Sequence, residues 1–369
     1  MRILFAGGGT GGHIYPALAV ADYIKNQYPE CELLYVGTEK GLEMDIVGKR
    51  GDIPFQTIRV EGLPRKISPA LIKAGIKALN GCLDARKVIS DFRPDVVIGT
   101  GGYVCGPIVL AAKLAGVPAL IHEQNALPGI TNKLLSKWVD CVMVNFAASK
   151  SYFAHPERVR VTGLPVRSEV LTAQKEDGLA YFGFSKENVT LLVSGGSRGA
   201  KSINLAMAQS YPELIKHKNL QIIHLTGAVS YEDTLNEIKK QGIDLASEPQ
   251  IIIKPYLNEM QYALAAADFC VGRAGATYLA ELTACGKASI LIPYPFAAEN
   301  HQQYNAQALV DQGAAKMILD KELNSTNLSA EIINLLENET KRKTMAAMAA
   351  QAGKKDALAE IAALVTKYC

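Results

Sequence analysis

No run of about 18 apolar residues occurs in this 369-residue chain, so no segment is expected to cross a bilayer as a helix. Any membrane contact is therefore expected to be peripheral. The first residues run straight into the apolar stretch Arg2-Ile-Leu-Phe-Ala6 and lack the long apolar region and small-residue cleavage site of a secretory signal. None of the seven cysteines (Cys31, Cys82, Cys105, Cys141, Cys270, Cys285 and Cys369) stands in a Cys-x-x-Cys pair. An odd, scattered set of this kind excludes a disulfide framework and a zinc site, and points to reduced thiols, most of them small core residues, in a cytosol. A charge excess of one sign is missing too. Lys and Arg number 39 against 36 Asp and Glu, a net charge of +3, which gives no argument for a nucleic-acid partner. Low-complexity segments and disordered linkers are absent.

What the chain does have is alternation. Short apolar runs at 3–6, 33–36, 96–98, 119–122 and 141–144, and again at 190–193, 221–225, 251–253, 269–271 and 289–292, are separated by stretches mostly long enough for crossover helices. This pattern predicts parallel sheets covered on both faces. The chain also repeats itself. Arg2-Ile-Leu-Phe-Ala-Gly-Gly-Gly-Thr-Gly-Gly12 and Val189-Thr-Leu-Leu-Val-Ser-Gly-Gly-Ser-Arg-Gly199 are each a strand running into a glycine turn. Each stands where the first strand of a doubly wound domain hands over to its first helix. The fold class expected is α/β, with two Rossmann-like doubly wound parallel-sheet domains and an interdomain cleft. The expected extents are 1–163, 164–345, and a C-terminal helical tail, 346–369, that packs back on the first domain.

Glycines at a strand-to-helix turn let the backbone approach an anion, whose charge the exposed N–H groups and the helix dipole stabilise. Gly7, Gly9 and Gly12 match G-x-G-x-x-G, so a nicotinamide-dependent oxidoreductase is a candidate. That reading wants an acid about 20 residues further on, at the end of the second strand. Glu39, the nearest, comes too late. One turn could hold a cofactor; two, one per domain, fit one shared ligand, although the 195–199 turn could equally serve only to pack helix on strand. A third cluster, Gly99-Thr-Gly-Gly-Tyr103, follows the 96–98 run on the same strand-end edge.

Seven motifs then stand in one order: Gly8-Gly-Thr-Gly-Gly-His13, Gly101-Gly-Tyr-Val-Cys-Gly-Pro107, His122-Glu-Gln-Asn125, Gly163-Leu-Pro-Val-Arg167, Gly195-Gly-Ser-Arg-Gly-Ala200, Arg273-Ala-Gly-Ala-Thr277 with Glu281, and His301-Gln-Gln303. In these, from Arg2 to about Ala315, the chain resembles the bacterial undecaprenyldiphospho-muramoylpentapeptide β-N-acetylglucosaminyltransferases of peptidoglycan synthesis. The resemblance implies a GT-B architecture and no cofactor. It also implies transfer of N-acetylglucosamine from UDP-N-acetylglucosamine to lipid I, giving lipid II, at the cytoplasmic face of the cell membrane, with a cell-wall synthesis complex as a further partner. It places Thr10, Gly11 and Gly12 at the diphosphate and sugar, and Asn125 at the N-acetylglucosamine. Arg167 and Ser197 fall on the nucleotide side, and the Leu257 backbone at the uracil. Ala276, Thr277, Tyr278, Leu279, Ala280 and Glu281 cover a helix start, with Glu281 on the ribose hydroxyls. Gln302 and Gln303 reach the sugar hydroxyls, and which of the two makes the key contact is open. Tyr278 stands where small residues are common in the family.

The implied reaction inverts the anomeric centre, so it needs a base and something to stabilise the departing diphosphate. There is no Asp-x-Asp motif, which nucleotide-sugar enzymes of the other major fold use to hold a metal. The leaving charge is then expected on helix N-termini and Arg167, with Lys201 either helping or simply solvated. His13 is the base candidate, kept neutral by the helix dipole; the alternative is a histidine that only hydrogen-bonds substrate or caps the loop. Glu123 is its rival, and Tyr103 a hydrogen-bonding partner for the acceptor. His122 and His301 read as structural or sugar-positioning. Glu281 fits a ribose diol or, alternatively, a first-turn acid favoured by the dipole.

Residues 63–83 carry Ile72, Ile76, Leu79 and Leu83 on one helical face, together with Arg65, Lys66, Lys73 and Lys77. That pattern fits a peripheral helix on an anionic membrane surface, or a core-facing helix with a solvated basic side. Two further readings remain beside the oxidoreductase: a UDP-N-acetylglucosamine 2-epimerase of the same architecture, and a non-catalytic nucleotide-sugar binding module.

Overall fold

The computed structural model describes residues 1–60 and 69–369, with side chains from 1 to 60 and from 80 onward. The basic residues Arg65, Lys66, Lys73 and Lys77, with Ile72, Ile76 and Leu79, lie outside the described side chains. Among the described residues no helix is long and apolar enough to cross a membrane.

Contacts divide the chain into two compact units, Met1–Pro165 with Asp356–Cys369, and Val166–Lys355. The first is built on a seven-stranded sheet of β1 (Arg2–Gly7), β2 (Glu32–Gly37), β3 (Phe55–Thr57), β4 (Val96–Gly101), β5 (Ala119–Glu123), β6 (Cys141–Val144) and β7 (Val159–Val161), in the order β3-β2-β1-β4-β5-β6-β7. The second holds β8 (Val189–Ser194), β9 (Leu220–Leu225), β10 (Ile251–Lys254), β11 (Phe269–Gly272), β12 (Ala288–Leu291) and β13 (Ala315–Met317), in the order β10-β9-β8-β11-β12-β13. Every strand pair is parallel. Both units therefore wind outward from a central strand in both directions. In each, the order reverses between the first strand and the fourth, which opens a crevice at their carboxyl ends.

Sheets covered on both faces bury successive residues rather than alternate ones, which is why β1, β4, β8 and β11 read as unbroken apolar runs. Of the four edge strands, β10 keeps the apolar run Ile251-Ile-Ile253, while β3, β7 and β13 carry no such signal. Those three are each three residues long and only partly buried.

Two cores flank the first sheet. One of them joins Ile3, Phe5, Ile14 and Ala21 to Ile361, Ala362 and Val365 of the helix Ala357–Lys367. The last helix thus closes the face of the first sheet over the helix Gly11–Gln27, and the chain returns to its first unit to do so. Of the cysteines, Cys31, Cys105, Cys141 and Cys270 are buried and all seven are free thiols.

Ile361 is 1% exposed in that core. Ile361→Ala is expected to destabilise the first unit by about 2–4 kcal/mol. Urea unfolding reads this as a lower midpoint for that unit's transition, and an unmoved midpoint would show that the last helix does not hold the sheet.

Candidate active site

Gly9 takes a left-handed backbone, φ 82°, that turns the chain from β1 into the helix Gly11–Gln27. The turn is held against the loop after β4, where the Gly8 N–H donates to the Gly101 carbonyl at 3.3 Å. A Cβ on Gly102 would lie 2.4 Å from the Gly8 oxygen, so the two loops meet backbone to backbone. The Tyr103 ring lies along Gly9.

His13 sits in the first turn of that helix, half-buried. Its Nδ1 is 2.9 Å from the Gly8 carbonyl oxygen and 3.3 Å from Thr10 Oγ1. A carbonyl can only accept, so Nδ1 carries the proton and Nε2 presents its lone pair. That is the tautomer a general base needs.

Behind this turn lies Glu123, 2% exposed. One of its oxygens accepts from the Asn125 N–H at 3.0 Å and the Asn125 amide at 3.3 Å. The other accepts from the Gly129 N–H at 3.1 Å and the Asn132 amide at 2.8 Å. Gln124 donates to the Thr100 carbonyl at 2.8 Å, tying the same loop to β4. Glu123 is committed to four donors and shapes the 124–129 loop. As a rival base it is displaced, because taking a proton would break a buried, fully occupied acceptor set. His122 is fully enclosed, its Nε2 donating to the Gly163 carbonyl at 2.9 Å, and burial pushes its pKa down to about 4; it is a neutral structural group.

The second unit has a close backbone approach of its own, between the turns after β8 and β9. Gly199 has φ 75°, and a Cβ there would stand 1.9 Å from the Thr226 carbonyl oxygen. Ser197 and Lys201 are exposed, at the tip of the turn and on the first helical residue behind it. Beneath lies a buried neutral chain. The Tyr211 hydroxyl meets His224 Nδ1 at 3.0 Å, His224 Nε2 meets Asn204 Oδ1 at 3.1 Å, and the Asn204 amide donates to the Thr226 carbonyl at 2.8 Å.

Arg273, at the end of β11, is a clamp. Its Nη1 donates to the Ile292 and Pro293 carbonyls, each at 3.1 Å, and to Asp320, and its Nη2 donates to Ser202 at 3.0 Å. The helix Ala276–Ala284 follows, with Gly275 as its cap. Glu281 is its sixth residue, buried at 7% exposure, and accepts from Arg167 Nε at 3.3 Å and Nη2 at 3.1 Å. Gln302 Oε1 accepts from the Ala274 and Tyr294 N–H groups at 3.2 and 3.0 Å.

The N-terminal domain of glycosyltransferase family 28 matches residues 3–144, and its C-terminal domain matches residues 190–361. A UDP-N-acetylglucosamine–N-acetylmuramyl-(pentapeptide) pyrophosphoryl-undecaprenol N-acetylglucosamine transferase of Desulforamulus reducens is 50% identical over 367 residues, covering 100% of this chain and 98% of that one. The protein of the same name from Moorella thermoacetica is 46% identical over 371 residues, covering 100% and 99%. The chain belongs to glycosyltransferase family 28. A crystal structure of the Acinetobacter baumannii MurG superposes on this family 28 chain with a TM-score of 0.80 at 30% identity, covering 99% of each. A Neisseria meningitidis UDP-GlcNAc 2-epimerase bound to UDP-GlcNAc gives 0.67 at 15% identity, covering 100% of each, a likeness of fold alone.

Several expectations change on this geometry. The helix around Glu281 begins at Ala276, so Glu281 is no first-turn acid. The Tyr278 hydroxyl is buried beside Cys270, meets no nitrogen or oxygen partner, and its ring lies over Gly272. Leu279 and Ala280 pack into the core at 1% and 6% exposure. Of the run 276–280, what can face a ligand is the first-turn backbone and the exposed Thr277. Gln303 is exposed while Gln302 bridges two strand-end loops, so of the two, Gln302 is built into the site. Leu257 is buried, and among the described residues its backbone makes no hydrogen bond within the protein. Asp320 and Glu43 went unnoticed in the sequence. Neither stands in a glycine motif, and only the fold brings them to one.

Burial raises the Glu281 carboxyl pKa, and the neighbouring Arg167 only partly opposes the rise. The folded state therefore favours the protonated acid, and this contribution to stability is lost as pH rises through the raised value. Glu281→Gln is expected to raise the thermal midpoint of the second unit more at pH 8 than at pH 4. An equal change at both pH values would show that the carboxyl titrates normally.

Proposed function

We propose that this chain moves N-acetylglucosamine from UDP-N-acetylglucosamine to the C4 hydroxyl of undecaprenyl-diphospho-N-acetylmuramoyl-pentapeptide, forming lipid II with inversion at the anomeric carbon. The observation that carries the chemistry is the His13 ring, tautomerically fixed by the Gly8 carbonyl with Nε2 free to accept. The full-length relatives supply the substrate class.

His13 Nε2 removes the acceptor hydroxyl proton as that oxygen attacks the sugar C1, and the C1–O bond to the diphosphate breaks on the opposite face. Thr10, Gly11, Gly12, Tyr103 and Asn125 line this turn and orient the acceptor and the N-acetylglucosamine. Uridine diphosphate belongs to the second unit. Glu281 accepts from the ribose hydroxyls, the Leu257 backbone meets the uracil, and Gln302 holds the sugar. Ser197, the first-turn N–H groups of Ala276, Thr277 and Tyr278, and Arg167 stabilise the leaving diphosphate. Arg167 then exchanges part of its hold on Glu281 for the departing charge. Among the described residues no group of three or more His, Cys, Asp or Glu side chains is placed to hold a metal.

The lipid-linked acceptor puts this work at the cytoplasmic membrane face, with residues 63–83 as the peripheral contact and a cell-wall synthesis complex as the setting. Replacing Lys66, Lys73 and Lys77 with Glu is expected to weaken binding to anionic liposomes while sparing turnover of a short-chain soluble acceptor. Unchanged liposome binding would remove that segment from the contact.

Transfer of radiolabelled sugar from UDP-N-acetylglucosamine to a synthetic lipid I analogue tests the reaction, and added chelator is expected to leave the rate unchanged. His13→Ala is expected to lower kcat by about 10²–10⁴-fold and to abolish the ascending limb of the pH–rate profile. A persistent limb would take the role of base from His13.

A further inference from the structure

Glu43 lies outside every glycine motif, yet it is 0% exposed and sits directly beneath the first turn. Its Oε1 accepts from the Thr38 N–H at 3.0 Å and the Thr38 hydroxyl at 2.8 Å, and its Oε2 accepts from the Gly9 N–H at 3.1 Å. Three glycines make room for it. A Cβ on Gly8, Gly37 or Gly41 would stand 2.6, 2.4 or 2.1 Å from its side chain. Among the described residues no Lys, Arg or His forms an ion pair with it. An enclosed carboxylate with no cation among the described residues is costly to keep, so its three donors must serve something.

The Gly9 N–H and the Gly8 carbonyl belong to one peptide unit. Glu43 holds the N–H end, and His13 Nδ1 donates to the carbonyl end at 2.9 Å. We propose that Glu43 is a positioning residue that acts on His13 through the Gly8–Gly9 peptide, so that carboxylate, peptide and imidazole form an acid–histidine dyad with an amide inserted between its members. The inference rests on the reading of His13 as the base.

An anion at the N–H end polarises the amide and strengthens its carbonyl as an acceptor. The carbonyl then fixes the Nδ1–H tautomer, aims Nε2 outward, and stabilises the imidazolium that forms when Nε2 takes the acceptor proton. This is the part a directly bonded carboxylate plays in a serine-protease triad. No proton travels along the chain: Nδ1 keeps its hydrogen, Glu43 stays ionised, and the acceptor proton ends on Nε2. The arrangement also answers a problem of placement. A histidine in the first turn of a helix has its imidazolium disfavoured by the dipole, which weakens it as a base. The buried charge of Glu43 works in the opposite sense.

The other titratable groups around the turn are Tyr35, Cys105, Glu123, Tyr15 and Tyr103. Tyr35 donates its hydroxyl to the Gly7 carbonyl at 3.0 Å, and burial raises it well above the usual phenol range. Burial pushes the Cys105 thiol up to about 12. Glu123, on β5, is held by its four donors. Tyr15, beside Gly11, and Tyr103, along Gly9, are phenols.

Nuclear magnetic resonance of the full chain with ¹⁵N-labelled histidine rings tests the proposal, with His13→Ala used to assign the His13 signals. His122 and His224, pushed down to about 4 and about 3, stay neutral through the range that matters. In the wild type the His13 ring is expected to be the Nδ1–H tautomer. Glu43→Gln, nearly isosteric and uncharged, is expected to lower the His13 pKa by about 0.5–1 unit and to mix the tautomers. The ascending limb of kcat is expected to move to lower pH with it, and the plateau to fall several-fold. Thr38→Val removes one hydrogen bond from the same carboxylate but leaves its charge, and is expected to leave the His13 titration in place.

An Nε2–H tautomer in the wild type overturns the proposal whatever the variants do. So does a Glu43→Gln protein whose His13 titration is unmoved, or a Thr38→Val protein that shifts it equally. These readouts concern the ring itself. A His13→Ala profile that keeps its limb would instead refute the base reading, so the two failures are told apart.

Discussion

Two stretches of backbone can approach this closely only where a glycine leaves out the Cβ that would stand between them, and each unit of this chain has one such meeting. In the first, Gly8 lies on Gly102; in the second, Gly199 lies against Thr226 and Gly227. The first falls where the strand order of the sheet reverses, between β1 and β4, and the second lies beside that point, between the turns after β8 and β9. The approach bears on what stands at the rim: His13 and Tyr103 in one unit, Ser197 in the other. Any side chain in place of these glycines would push the loops apart and move the reacting groups with them.

That constraint is also why so much was legible from the chain alone. Glycine turns are local, so the strand-to-helix handovers at 7–12 and 195–200 show in the sequence, and buried parallel strands such as β1 and β8 show as apolar runs. What stayed hidden is non-local. The strands β3, β7 and β13 are three residues long and partly buried, too short for an apolar run to show. The burial of the Tyr278 hydroxyl depends on the space above Cys270 and Gly272. The choice between Gln302 and Gln303 depends on two loops, at 274 and 294, that only tertiary structure brings together. Glu43 was invisible for the plainest reason: an acid in a charged-looking stretch reads as solvent-exposed, and three of the glycines that enclose it are scattered from 8 to 41.

The buried carboxylates show three solutions to one electrostatic problem. Glu281 faces a cation, Arg167, which is itself half exposed and so able to turn to another anion. Glu123 is surrounded by neutral donors and is structural. Glu43 also has only neutral donors, but one of them is the peptide that faces His13. Desolvation bears on all three, and the identity of the donors decides what each carboxylate can do.

The supports beneath the two glycine turns differ in charge, and the difference follows from their proposed tasks. Beneath the first is an anion, Glu43; beneath the second is the chain Tyr211–His224–Asn204, in which burial keeps the imidazole neutral. A turn that carries a base gains from a buried negative charge, because the imidazolium formed in the reaction is stabilised by it. A turn that faces a diphosphate would lose by one, since a fixed anion behind its N–H groups would offset the helix dipole that attracts the phosphate. A neutral network holds the second turn as firmly without that penalty. The same backbone geometry can thus serve proton removal in one unit and anion binding in the other, the distinction lying in the buried side chains under each turn.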